Sequence, residues 1–411
     1  MRSCTGDDPS RPGSGPVTVI GLSADGRLAS SELALLAEAD VVIGARRHLD
    51  LLPPVEGQQR ELLPSPLRQN LQPRLEELGD RRVVVLASGD PLVSGIGSTL
   101  IELLGADRVV VRPAVSSIAL ARAQMRWAAE SCAVLTLVGR DPALVLRELA
   151  PGHRLLLLSS DETTPGVVAG LLATAGYGAS TLTVLGDLGT ERESLTSFRA
   201  DSGLPPGPVP RLNIVAVELD GPLHVGWSAG LPDGAFEHDG QLTKRDLRAS
   251  ALSRLLPAPG QLLWDVGAGA GSVGIEWLRA HPTARAVAVE RDSQRAARIS
   301  RNAHALGVPG LGVVTGRAPD ALTDLPDPDA IFVGGGATVP GVLEACTAAL
   351  RGGGRLVVHG VTLETEQALA RAYAEHGGEL TRIHVEQAAP IGGFTGWAPA
   401  RAVTQWSWRK S

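Results

Sequence analysis

Cysteine is nearly missing from this 411-residue chain: Cys4, Cys132 and Cys346 stand far apart, which excludes a Cys-x-x-Cys metal pair and an even disulfide framework. A reducing compartment is expected. Aromatic residues amount to only 3%, too few to build a platform on which nucleic-acid bases stack. Lysine occurs only at 244 and 410, and 38 basic against 44 acidic residues leave a net charge of −6, so no polylysine tract tracks a phosphate backbone. No apolar run approaches the roughly 18 residues that a bilayer span requires. The expectations are therefore a cytoplasmic protein with no nucleic-acid partner and no membrane segment. Metal-ligand spacings such as HExxH are also lacking, and no metal is expected. Residues 1–16 hold prolines, glycines, Asp7 and Asp8 but no apolar stretch, so they read as a disordered arm rather than a secretory signal.

What is present is a core-forming composition, 44% hydrophobic and 20% charged. Short runs of Val, Leu and Ile alternate with longer helix-like stretches, the pattern of parallel sheets covered by helices, and the fold class expected is α/β. Strands are expected at 17–20, 41–43, 83–86, 109–111, 133–138, 155–158, 182–185 and 214–217. The segment DGPLHVGWSAGLPD, rich in Gly and Pro, follows, and the alternation then restarts with 262–266, 286–289, 312–314, 330–333 and 355–358. The boundaries expected are a first domain at 17–219, a linker at 220–234 and a second domain at 235–411. No repeat of 20 to 50 residues is visible, so a solenoid is excluded.

In the second domain a buried-type strand runs into Asp265-Val-Gly267-Ala268-Gly269-Ala270-Gly271-Ser272. Glycine there allows positive φ and a close approach of backbone to ligand. Glu290, 23 residues after Gly267, ends the next strand, where a carboxylate accepts the hydroxyls of a ribose. The pair points to an adenosine cofactor. A dinucleotide fingerprint uses a third glycine for helix packing, and that place is held by Ser272. The spacing resembles instead the first motif of the S-adenosylmethionine (SAM) methyltransferases of Rossmann-like fold, with Ala318 in Gly-Arg-Ala-Pro-Asp as the adenine contact that the resemblance implies. A nicotinamide dinucleotide and a tight turn without ligand remain the alternatives.

In the first domain, Gly21 follows the opening strand, Ser88-Gly89-Asp90-Pro91 follows a later one, and Ser116-Ser117 opens a small-residue helix. Turns of this kind turn backbone amides and carbonyls toward a cleft, while Ser116 or Ser117 read blandly caps a helix. In this order and spacing, the three segments resemble the tetrapyrrole (corrin and porphyrin) methylase family, a two-lobed α/β fold that uses SAM. Asp161-Glu-Thr-Thr-Pro165-Gly and Leu185-Gly-Asp-Leu-Gly-Thr-Glu191 resemble its second lobe. The opening loop departs from the family's Gly-x-Gly-Pro-Gly: it reads Gly21-Leu-Ser-Ala-Asp25-Gly.

A tetrapyrrole methylase fused to a Rossmann-like methyltransferase is similar to the decarboxylating precorrin methyltransferases of cobalamin biosynthesis. Gln241-Leu-Thr243, Val333-Gly334-Gly335-Gly336 and Ala389-Pro-Ile-Gly392-Gly393-Phe394 extend that likeness through the second domain. The resemblance implies two SAM molecules per chain, an anionic precorrin substrate, methylation of ring carbons 5 and 15, loss of CO2 from the ring carbon 12 acetate, and a homo-oligomer. SAM contacts are then expected at Gly21, Ser88, Gly89, Asp90, Pro91, Ser116 and Ser117, and again at Thr243, Gly267, Ala268, Gly269, Ala270, Gly271, Glu290 and Ala318. Catalytic residues are not identified. Arg245 and Arg248 are candidates for substrate carboxylates against a solvated helix face, Arg317 and Arg382 weaker ones, and His359 is a candidate proton donor against a structural role. Arg295, Arg298 and Arg301 are read as a solvated stripe rather than an RNA surface. The other readings are a methyltransferase for another anionic tetrapyrrole or RNA, a nicotinamide-linked oxidoreductase, and a SAM-binding regulator without catalysis.

Overall fold

The computed structural model describes residues 16–223 and 225–411, so the expected arm falls outside the described residues except for Pro16. The chain forms two compact units: one holds the chain up to Arg140 together with Gly152–Asp220, the other Asp141–Pro151 together with Gly221–Ser411. The stretch Asp141–Pro151 lies inside the span expected for the first domain, yet its packing partners belong to the second. The indole Nε1 of Trp227 donates to the carbonyl of Arg147 at 3.3 Å. At Gly307 a Cβ would stand 2.1 Å from the Arg147 nitrogen, so the two backbones touch.

The first unit has two sheets. Val17–Leu22 (β1), Val41–Gly44 (β2), Gln59–Leu62 (β3), Val83–Ser88 (β4) and Val109–Arg112 (β5) form a parallel sheet in the order β3-β2-β4-β1-β5. Val19, Ile20, Val42, Ile43, Val85 and Leu86 are fully buried, which is why these strands read as unbroken apolar runs. Ala133–Thr136 (β6), Arg154–Leu158 (β7), Thr181–Gly186 (β8), Ser194–Arg199 (β9) and Asn213–Glu218 (β10) form the second sheet, ordered β6-β7-β10-β8-β9. Only β6 and β7 are parallel neighbours in it.

The second unit is built on seven strands. Leu262–Val266 (β11), Arg285–Glu290 (β12), Gly312–Thr315 (β13), Ala330–Val333 (β14), Arg355–Gly360 (β15), Glu379–Ile383 (β16) and Val403–Arg409 form one sheet, and between the last two Glu386–Ile391 (β17) and Phe394–Pro399 (β18) pair as a separate hairpin. With Val403–Arg409 as β19, the order is β13-β12-β11-β14-β15-β19-β16, parallel up to β15 and antiparallel at β19 and β16. Consecutive strands leave β11 in opposite directions, and the crevice outside the carboxyl ends of β11 and β14 is the topological switch point where α/β sheets hold ligands. Both units are α/β, the first a two-lobed methylase fold and the second Rossmann-like.

Strands β3, β9 and β16 to β19 have no counterpart among the sequence expectations. Their residues are largely exposed or interleave apolar with polar side chains, as in Gln-Arg-Glu-Leu of β3, so no continuous run of Val, Leu and Ile marks them. Among the described residues, no helix is long and apolar enough to cross a membrane.

Candidate functional site

In the first unit the three expected segments meet, backbone against backbone. The Gly89 amide donates to the Leu22 carbonyl at 2.7 Å, and the Ala114 amide donates to the Gly89 carbonyl at 3.1 Å. This contact requires glycine at 21: a Cβ there would lie 1.9 Å from the Gly89 oxygen and 2.8 Å from the Ala114 nitrogen. Gly89 takes φ +56°, the left-handed region. Asp90 accepts from the Leu92 amide at 2.8 Å and so closes its own turn, and the carbonyl of Pro91 accepts from the Gly97 amide at 3.0 Å. Ser116 Oγ accepts from the Ala119 amide at 3.1 Å, so its hydroxyl caps the helix that begins at Ser117. The side chains of Asp90 and Ser116 thus serve the turn itself.

Two residues that the sequence reading passed over complete this corner. Arg47 Nη2 donates to Ser88 Oγ at 2.7 Å, and His48 Nε2 lies 2.9 Å from the same hydroxyl. His48 is buried, and desolvation, aided by the Arg47 charge, lowers its pKa to about 4. The available signal was position: Arg46-Arg-His48 directly follows the carboxyl end of a parallel strand.

In the second unit a cavity of ≈ 1190 Å³ opens at the switch point. Gly267, Ala268 and Gly269 line it, as do Glu290, Ala318 and Thr243. Gly269 takes φ +59°, and a Cβ there would stand 2.6 Å from the Gln241 carbonyl. Its amide donates to Glu290 Oε2 at 2.9 Å while the Asp292 amide donates to Oε1 at 3.1 Å, so the carboxylate is fixed and keeps lone pairs for a ribose. Behind the loop Asp265 is fully buried. It accepts from the Gly274 amide at 2.9 Å through Oδ2, its Oδ1 has no partner, and desolvation, with the Glu290 charge assisting, raises its pKa to about 7.

Ala270 and Gly271 do not reach the cavity. Ala270 is fully buried with its carbonyl held by Asn302 Nδ2 at 3.0 Å, and a Cβ on Gly271 would press on Ile299 at 2.7 Å. These two positions pack the loop onto the helix Ser293–Ala305, a role the spacing did not distinguish from ligand contact.

Arg248 is neither a carboxylate anchor nor a solvated side chain. It is fully buried, donates through Nε to Glu276 Oε1 at 2.5 Å, contacts Asp233 Oδ1 at 3.3 Å, and bonds the carbonyls of Thr243 and Leu231. Glu276 also accepts from the amides of Gly230 and Leu231 at 2.6 and 2.9 Å. This network anchors the segment that carries Thr243 to the wall of the cavity. Arg245 and Arg317 do line the cavity, whereas Arg382 is bound to Glu366 at 3.2 Å. His359 lines it too, but Nε2 bonds Gln405 Oε1 at 2.9 Å and burial lowers its pKa to about 4. At pH 7 it carries no proton to give as an imidazolium. The arginine stripe is also tied down: Arg295 and Arg298 contact Asp239 at 2.9 and 3.2 Å, and Arg301 contacts Glu237 at 2.8 Å. The sequence reading missed Arg401, Val385 and Ile383, which reach the cavity from and beside the unforeseen strands β16, β18 and β19.

Comparison with known proteins also yields two matches, with the stretch 141–151 falling inside the first of them. The model of the tetrapyrrole (corrin/porphyrin) methylases matches residues 20–202, and that of the precorrin methyltransferase domain matches residues 234–410. Fold and site together therefore define a fused pair of methylases. A precorrin-6Y C(5,15)-methyltransferase [decarboxylating] of Sinorhizobium sp is 46% identical over 96% of this chain and 96% of its own length. Its namesake from Mycobacterium tuberculosis is 44% identical over 95% of this chain and 99% of its own. A probable cobalt-precorrin-6B C(15)-methyltransferase (decarboxylating) of Pyrobaculum calidifontis is 38% identical over 40% of this chain and 88% of its own. The chain belongs to the family of decarboxylating precorrin-6Y C5,15-methyltransferases. That membership sets aside the nicotinamide-linked reading.

Proposed function

We propose that this chain methylates precorrin-6Y twice and decarboxylates it once, using one SAM site in each unit, to give precorrin-8. The first unit is assigned methylation of ring carbon 5. The second is assigned methylation of ring carbon 15 and loss of CO2 from the ring carbon 12 acetate. This division is supported by the Pyrobaculum relative, which matches only part of the chain and whose name carries the C15 and decarboxylating activities alone.

The observation that carries the reading is the presence, in each unit, of a glycine turn at the carboxyl ends of parallel strands. In the second unit the residues suit the donor: Gly269 leaves room where a Cβ would collide, and the pinned Glu290 presents acceptors for the ribose hydroxyls. Ala318 lines the same cavity, which suits the adenine contact proposed for it. Bound SAM supplies an electrophilic methyl group on a sulfonium. A precorrin carbon that attacks it is already electron-rich, so the residues need to align donor and acceptor and exclude water rather than to abstract a proton first. Loss of CO2 leaves its electron pair in the macrocycle, and a proton then restores the ring. Arg245, Arg317 and Arg401 at the cavity are suited to the substrate's other carboxylates by forked hydrogen bonds. The same reading carries self-association and a cytoplasmic location. The hairpin β17–β18 supports the first, since it leaves Ile391, Phe394 and Trp397 61%, 84% and 70% exposed.

The test is incubation of the full chain with precorrin-6Y and methyl-labelled SAM. Two methyl groups and one CO2 per substrate are expected, and the absence of either product contradicts the reading.

A further inference from the structure

Arg47 stands out among the charged side chains of the first unit. It reaches solvent, yet protein crowding lowers the pKa of its guanidinium by desolvation, with Asp187 as the opposing attraction. Among the described residues no carboxylate lies within 4.0 Å of it; its one hydrogen bond is to the neutral hydroxyl of Ser88. That hydroxyl is gripped from beneath by the buried His48, which is uncharged at pH 7 and whose Nδ1 has no partner. Arg46 and Asp50 lie on the same helical turn, and the Asp90 carboxylate is taken up by the Leu92 amide at 2.8 Å. Asp187, which follows β8, attracts Arg47 but, like the others, stays beyond ion-pair distance among the described residues. A cation held at a fixed height over a candidate donor turn, partly desolvated and left without an anion, is what a ligand carboxylate completes.

We infer that Arg47, positioned by Ser88 and His48, is a carboxylate-binding residue of the first unit, and that its ligand is a carboxylate of either the tetrapyrrole or SAM. The inference rests on the reading of this unit as a methylase and adds the residue that holds its anionic ligand. The fork of the guanidinium leaves nitrogens free beside the one spent on Ser88, enough for a charge-assisted pair of hydrogen bonds.

The experiment uses the full chain carrying Gly269→Val, so that donor binding to the first unit is read alone. Arg47→Ala and Arg47→Lys are compared with the parent for SAM affinity by calorimetry, for affinity to uroporphyrin and its fully esterified form by fluorescence, and for melting temperature. Arg47→Ala is expected to weaken one of the two carboxylate ligands by roughly ten- to hundredfold, with partial recovery in Arg47→Lys and an unchanged melting temperature. Loss of uroporphyrin binding with no change toward the ester assigns the carboxylate to the tetrapyrrole, and loss of SAM binding assigns it to the donor. Unchanged affinity for both, or weakening of both together with a lower melting temperature, overturns the inference. Turnover of precorrin-6Y by the parent is scored separately, so a failure of the enzymatic reading leaves these binding results decisive on Arg47.

Discussion

The two glycine turns reach the same end by different backbone means. In the first unit Gly21 sits within a strand, and what it supplies is empty space for the Gly89 carbonyl, so three segments meet main chain to main chain. In the second unit Gly269 supplies a left-handed φ, and a side chain, Glu290, ties the loop down through its carboxylate. The first turn is set by volume, the second by volume, backbone conformation and charge together. Both should therefore be sensitive to any added Cβ, and the second also to the protonation state of the acids around it.

The largest effect is expected from Gly269→Val. A branched residue is strained at φ +59°, and its Cβ falls 2.6 Å from the Gln241 carbonyl, so the collision is with the cavity wall before any ligand arrives. Second methylation and CO2 release should fall by roughly a hundredfold or more while the first methylation persists, as measured by product analysis. Gly21→Ala is the counterpart, a single methyl forced to within 1.9 Å of the Gly89 oxygen. It should lower the first methylation by about a hundredfold and spare CO2 release. If either variant silenced both activities equally, the separation into two independent turns would break.

The comparison is sharpened next by stability. Arg248→Ala leaves Glu276 buried without its cation and should cost about 3–5 kcal/mol in denaturant unfolding of the second unit. The first unit's transition should not move. Glu276→Gln added to Arg248→Met should recover part of the loss, because no unpaired charge then remains.

Smallest is the effect of Asp265→Asn. The Asp265 pKa is raised from 3.8 to about 7, so the folded protein holds a proton that the unfolded chain releases. Its contribution to stability is complete below about pH 4 and is lost as the pH rises toward 7. His48 and His359 act oppositely, since pKa values lowered to about 4 add stability as the pH climbs from there to 6.5. Subtracting the variant's melting temperatures from those of the parent between pH 4 and 8 isolates Asp265. A parent that declines relative to the variant with rising pH is expected, and parallel curves would deny the shifted acid.

How far the residues foretold these sites follows from the same contrast. Buried parallel strands such as β1 and β4 are apolar throughout, so their ends, and with them Gly21 and Ser88-Gly89, were legible from local pattern. The strands at the far edge of the second sheet were not, because β16 carries mostly exposed residues with polar ones interleaved and Gln405 in β19 is fully buried despite its polarity. Arg248 misled for a related reason: its partner Glu276 lies 28 residues away, and only the folded chain shows the pair. Within the glycine loop, sequence located the turn but could not tell residues facing the cavity from Ala270 and Gly271, which face the core. The segment Asp141–Pro151 shows the same limit at the level of whole units, since linear order places it in one and packing in the other.

The most direct measurement is the SAM stoichiometry of the full chain by calorimetry, repeated on Gly21→Ala and Gly269→Val. Two sites per chain are expected, falling to one in each variant and to none when the substitutions are combined. A single site in the unaltered chain, or two variants that remove the same site, would contradict the account.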